Sequence, residues 1–193
     1  MKNWLFIFLL AMSCGNNTEP QKPADATPDT TVVRLSKDSL ASLNTALPGE
    51  PGIKIYKGAW FAISYPEAFT VQPSLPSATS SEGNESAFFT SPGGEVSFYV
   101  FSPQWSGTPT DIALQPNEKI ISRDSSYSQE RRSMAINWTI EANDKTYRRS
   151  YQEIKMDENI NWIFGIKYKD EAAYNKYKQD YINFKNSIIQ YAD

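Results

Sequence analysis

Four stretches in the C-terminal half that read as strands constrain the fold more than anything else in this chain. They are Glu118–Ser128, Ser133–Ala142, Lys145–Met156 and Asn159–Tyr168. In the second, Met134, Ile136, Trp138 and Ile140 fall on one face, and Ala135, Asn137, Thr139 and Glu141 on the other. That period of two is the one a pleated strand imposes. In the fourth, Ile160, Trp162, Phe164, Ile166 and Tyr168 form an unbroken apolar row. Asn143-Asp144 and Asp157-Glu158 supply the turns of hairpins.

The same signals extend upstream. Ile53–Tyr56 and Trp60–Tyr65 predict a hairpin around Lys57-Gly58, stopped by Pro66. A Ser-, Pro- and Gly-rich loop from Gln72 to Ser86 precedes Ala87–Thr90 and Glu95–Ser102, which flank the turn Ser91-Pro92-Gly93-Gly94. Val96, Phe98 and Val100 face one way in the latter strand, and Tyr99 and Phe101 the other. A strand apolar on both faces is central and covered on both sides. Ser102–Pro116 reads as a loop with one helical turn near Asp111–Leu114. After Asp170, a helix cap, the residues Tyr174, Tyr177, Tyr181, Phe184, Ile188 and Tyr191 keep the spacing of a helix docked on a sheet. Ser36 is a second cap, before a short helix over Lys37–Asn44.

Composition narrows the chemistry. The chain has 193 residues, 40% hydrophobic and 21% charged, which suits one globular domain with a real core. Its net charge is −3, so it offers no basic footprint for nucleic acid. Histidine is absent and cysteine occurs once. Ser–His–Asp and Cys–His catalysis are therefore excluded, as are zinc sites of the usual His/Cys type. No cofactor or metal is expected.

The N-terminus, MKNWLFIFLLAMSC, sets Lys2 before an apolar run from Trp4 to Met12. That run is far short of the roughly 20 residues of a spanning helix and has the proportions of a signal peptide, residues 1–13. Leu10-Ala11-Met12-Ser13-Cys14 resembles the lipobox of bacterial lipoprotein precursors. The resemblance implies that Cys14 becomes the acylated N-terminus, anchoring the chain to a membrane. Gly15, where an aspartate would retain such a protein in the inner membrane, favours the outer membrane, with the domain periplasmic or surface-facing. Residues 14–34 hold three prolines and four threonines between Gly15 and Val33, too little apolar surface to fold. They read as a tether with a mean span of about 25 Å, followed by a short helix and linker over 35–51.

Residues 52–193 then form the domain. Its opening KGAWFAISYPEAF (Lys57–Phe69) resembles the aromatic–x–Ile–x–Tyr–Pro start of PsbP-like and DcrB-like domains. Ala87-Phe88-Phe89, the hairpin strand Gly94–Phe101 and the ending Phe184-Lys185-Asn186-Ser187-Ile188 match the same pattern. The resemblance implies an α+β fold: an antiparallel sheet sandwiched by helices (α/β/α), closed by a long C-terminal helix. It also implies a non-enzymatic accessory protein, with no family catalytic residues to carry over.

Two features suggest ligand chemistry. Tyr147-Arg148-Arg149-Ser150-Tyr151 is the local basic cluster, and arginine forks suit carboxylate or phosphate. On a strand Arg148 and Arg149 point to opposite faces, so the plainer reading pairs them across strands with Glu141 and Glu153. Trp105, in the loop Pro103–Pro109, either anchors a partner or folds over a sheet edge. Asp157-Glu158-Asn159 with Asn161 has the look of a calcium loop but lacks its glycine and terminal glutamate, and reads as a turn. The expected function is a membrane-tethered, non-catalytic binding or accessory module that assists an envelope protein complex. The alternatives are an envelope hydrolase using carboxylate or Ser/Lys chemistry, and a purely structural lipoprotein.

Overall fold

The structure is a computed structural model describing residues 34–36, 52–156 and 160–192. The expected signal peptide, Cys14, the tether up to Val33, the helix over Lys37–Asn44 and the turn Asp157–Asn159 lie outside the described residues.

Among the described residues eleven strands form two sheets, accompanied by one α-helix. In chain order the strands are β1 (Arg34–Ser36), β2 (Ile53–Lys57), β3 (Phe61–Pro66), β4 (Thr70–Pro73), β5 (Ser86–Thr90), β6 (Val96–Phe101), β7 (Glu118–Ser128), β8 (Ser133–Ala142), β9 (Arg148–Met156) and β10 (Ile160–Tyr168). Helix α1 (Glu171–Asn186) and strand β11 (Ile189–Ala192) follow. The larger sheet runs β4-β5-β6-β10-β9-β8-β7 and is antiparallel throughout. The smaller runs β1-β11-β3-β2, with β1 parallel to β11.

This corrects the expected layering. The domain is not a sheet sandwiched by helices: among the described residues there is one α-helix, and a second sheet lies beside it over the same core. Three local differences accompany the changed layering. The expected helix ran to Tyr191, but it stops at Asn186, where the Ser187 hydroxyl donates to the Phe184 carbonyl at 2.8 Å and accepts from the Ser64 amide at 2.8 Å. The β-branched Ile188 and Ile189 then lead into β11, which joins β3. Residues 70–73, at the edge of the expected loop, pair with β5 as an edge strand. Arg34–Ser36, read from the sequence as the junction of tether and helix, pairs with Gln190–Ala192.

The core is largely aromatic. Phe61 and Ile63 of β3, Phe89 of β5, Phe98 of β6 and Phe164 of β10 meet Tyr181 and Phe184 of α1 on one face of the large sheet. The Phe184 ring lies 5.0 Å from Phe89 and 5.3 Å from Phe98, within the range of favourable edge and offset contacts. Asp170 caps α1 as expected, its Oδ1 accepting from the Ala173 amide at 2.7 Å. The tyrosine stripe is a docking seam up to Phe184, with Tyr174 and Tyr177 half-buried along it. Strand β6 is central and covered on both faces, as its sequence predicts. Its second face carries a separate cluster of Tyr99, Phe101, Tyr151, Ile163 and Ile140 under residues 102–117.

Candidate functional site

The second face of the large sheet adds buried polar groups to its apolar cluster, and strand register explains how it is built. Gly165 stands opposite Tyr99 on β6 and Tyr151 on β9, and Lys167 stands opposite Ser97 and Arg149. Phe88 on β5 opposes Tyr99. A β-carbon at Gly165 would lie 2.5 Å from the Tyr151 ring and 3.1 Å from the Tyr99 β-carbon. Glycine is therefore what lets Tyr151 lie across the strand.

Arg149 ties residues 102–117 to this face. Its Nε donates to Glu118 Oε1 at 2.8 Å, one terminal nitrogen to the Ile112 carbonyl and the Tyr151 hydroxyl at 2.9 Å each, and the other to the Ala113 carbonyl at 3.0 Å and to Glu118 Oε2. All five guanidinium donors are thus occupied. Glu118 also accepts from the Tyr147 hydroxyl at 2.7 Å and the Gln115 amide at 2.8 Å. Burial works against its ionisation, but the hydrogen bonds from Arg149, Gln115 and Tyr147 outweigh it and hold the carboxyl below its ordinary pKa. Asp111 accepts from the Tyr99 hydroxyl at 2.7 Å and the Ser86 hydroxyl at 2.6 Å. Burial, then the Asp111 charge, push the Tyr99 phenol above its usual pKa. Farther along the loop, the Asn161 amide exchanges hydrogen bonds with both backbone groups of Gly107, at 3.0 and 2.9 Å.

A groove opens between this polar fastening and the β5–β6 side. Its inner part, about 200 Å³, is lined by Phe88, Tyr99, Tyr151, Gly165, Asp111 and Lys167 among others. Its outer part, about 530 Å³, adds Gln72, Thr90, Glu95, Thr146 and Lys169. Phe88, Ser97, Tyr147 and Lys167 line both. The Lys167 ammonium sits 3.9 Å from the centre of the Tyr147 ring, a cation–π contact, and has no hydrogen-bond acceptor among the described residues. Glu95 is held at a pKa of about 2 by hydrogen bonds from Lys169 and Lys176.

The residues singled out in sequence separate here. Tyr147, Arg149 and Tyr151 line the groove. Arg148 lies on the opposite face, where it pairs with Glu141 at 2.9 Å as expected. Arg149 pairs with Glu118 rather than Glu153, which instead accepts from Asn161 at 3.0 Å. Trp105 is 59% exposed, standing off the fastened loop. Sequence reasoning missed Phe88, Tyr99, Asp111, Glu118, Gly165 and Lys167. Of these Gly165 alone carried a signal, an isolated glycine inside a strand, which marks close approach. Among the described residues no cluster of three or more acidic, His or Cys side chains could hold a metal.

No protein-family model matches the chain, and no curated protein matches it. A crystal structure from Bacteroides thetaiotaomicron VPI-5482 is similar at a TM-score of 0.39 and 11% identity, over 75% of this chain and 50% of that one. The solution structure of cyanobacterial PsbP (CyanoP) from Synechocystis sp. PCC 6803 is similar at a TM-score of 0.45 and 11% identity, over 75% of this chain and 95% of that one. The structural neighbours of this chain thus include a PsbP-like protein, a likeness of chain path that transfers no residue role.

Proposed function

We propose that this chain is an envelope lipoprotein, anchored through Cys14, whose domain is a non-catalytic binding module working through the groove beside Lys167. The observation that carries the reading is the division of labour among the groove's polar groups. Arg149, Glu118 and Asp111 are consumed in holding residues 102–117, while the half-buried Phe88 and the exposed Lys167 remain accessible to a ligand. Glu118 is held ionised, so it lacks the raised pKa of a general acid. Register sets Ser97 opposite Lys167, the pair a Ser/Lys hydrolase would need. The Ser97 hydroxyl instead lies 3.0 Å from that of Thr90, and Lys167 is exposed rather than desolvated.

Three measurements test the reading. Cys14→Ala moves the protein from the membrane fraction to the soluble one if the anchor is real, and leaves fractionation unchanged if it is not. Ser97→Trp fills the groove. Stabilisation of the wild-type domain by an envelope extract, absent in this variant, supports the groove; equal stabilisation of both removes it. Trp105→Ala, with binding intact, would dismiss the exposed tryptophan as a partner anchor.

A further inference from the structure

The groove's hydrogen-bonding groups do not balance, and the imbalance defines a ligand. Every carboxylate lining it is already engaged: Glu118 by Arg149 and Tyr147, Asp111 by the hydroxyls of Tyr99 and Ser86, Glu95 by Lys169 and Lys176. On the donor side, Lys167 keeps its ammonium protons free of any acceptor among the described residues, and Lys169 uses one contact, on Glu95. What is missing is negative charge with acceptor oxygens. The inner part of the groove has an aromatic side, Phe88, Tyr99 and Tyr151, facing polar groups already paired with one another, Asp111, Glu118 and Arg149. The first two rings lie 4.8 Å apart and the last two 5.9 Å apart. Its volume of about 200 Å³ exceeds the roughly 150 Å³ of apolar space known to admit a benzene ring.

Building on the binding-module reading, we infer that the groove takes an organic anion, with a carboxylate or phosphate on Lys167 and a ring-sized apolar part in the inner cleft. The cation–π contact with Tyr147 keeps the ammonium at the junction of the two clefts, where one ligand reaches both. Such a ligand exchanges Lys167's hydration for a charge-assisted hydrogen bond and removes apolar surface from water at its other end.

The test is calorimetric titration of the full chain with phenyl phosphate, inorganic phosphate and benzyl alcohol. Phenyl phosphate should bind more tightly than either fragment. Lys167→Gln should weaken it about tenfold, equivalent to about 1.4 kcal/mol, while Lys167→Arg retains most of the affinity and Ser97→Trp abolishes binding. Co-sedimentation with phosphatidylglycerol but not phosphatidylcholine vesicles, lost in Lys167→Gln, would assign the anion to a lipid headgroup. Binding of phenyl phosphate without co-sedimentation would assign it to a soluble metabolite. Two results overturn the inference: equal affinity for phenyl and inorganic phosphate, or Lys167→Gln without effect. If no probe binds but Ser97→Trp still abolishes stabilisation by the envelope extract, the anion class fails and the groove survives. If Ser97→Trp changes nothing in either assay, both readings fail together.

Discussion

The two faces of the seven-stranded sheet are stabilised in opposite ways. The face under α1 is held by aromatic rings at many small contacts, Phe89, Phe98 and Phe184 among them, with no charge at its centre. The other face is held at a few places where a single side chain makes several hydrogen bonds, chiefly Arg149 and Asn161. Dispersion and burial spread a load over neighbours and degrade gradually. A buried ion pair concentrates it: the pair itself is close to neutral against an apolar replacement, yet losing one partner leaves an uncompensated charge. The first arrangement gives a rigid platform. The second fixes one particular loop in one position, which is what a groove beside that loop requires.

That contrast can be broken at several points, beginning with the largest effects. Phe98→Ala should cost about 3–5 kcal/mol in urea unfolding, as for other buried phenylalanines, and the loss should be of global stability. Glu118→Ala should cost a similar amount, about 3–5 kcal/mol, because Arg149 is left charged and buried. Here the double variant Glu118→Leu/Arg149→Met should regain most of the loss, whereas no second substitution of comparable size should rescue Phe98→Ala. A double variant as unstable as the single one would show that the pair stabilises beyond mutual compensation. Gly165→Ala should cost about 1–3 kcal/mol by overpacking against Tyr151. It should also shrink the inner cleft, so phenyl phosphate affinity should fall more than with a core substitution of equal cost. The smallest effect is with pH. The Glu118 pKa is depressed in the folded state, so its stabilisation is complete above the ordinary carboxylate value of about 4.5 and fades as pH falls through the lower folded value. Glu118→Gln should flatten the acid limb of the stability profile; an unchanged limb would place the acid sensitivity elsewhere, Glu95 first.

The same contrast explains what could be read from the sequence. Strands β6, β8 and β10 were legible because their alternation is local and apolar rows recur every second residue. Asp170 as a helix cap was legible for the same reason. The helix end was not: Ser187 stops it through a contact with Ser64, 123 positions away, while the apolar spacing runs on past it through Ile188 to Tyr191. The second sheet was hidden too, since β11 becomes a strand by pairing with β3 across the whole chain. In the site, Arg148 and Glu141 were predictable as direct cross-strand neighbours. Arg149 and Glu118 were not, because neither is opposite the other in register and their meeting depends on how residues 111–118 turn over the sheet. Lys167 had no signal at all in sequence. The role proposed for it rests on what its neighbours lack, and that is visible only when every acceptor around it has been accounted for.

The parallel pairing of β1 with β11 has a mechanical meaning. Arg34, Leu35 and Ser36 run alongside Gln190, Tyr191 and Ala192, and β11 is itself paired with β3 through Ile189 and Gln190. A pull along the strand on the chain before Arg34 loads the β1–β11 contacts together, in shear, rather than peeling them one at a time. Force entering from that side is passed through β11 into β3, at the far side of the core from the groove. A pull entering before Arg34 is thus resisted by all three residue pairs at once.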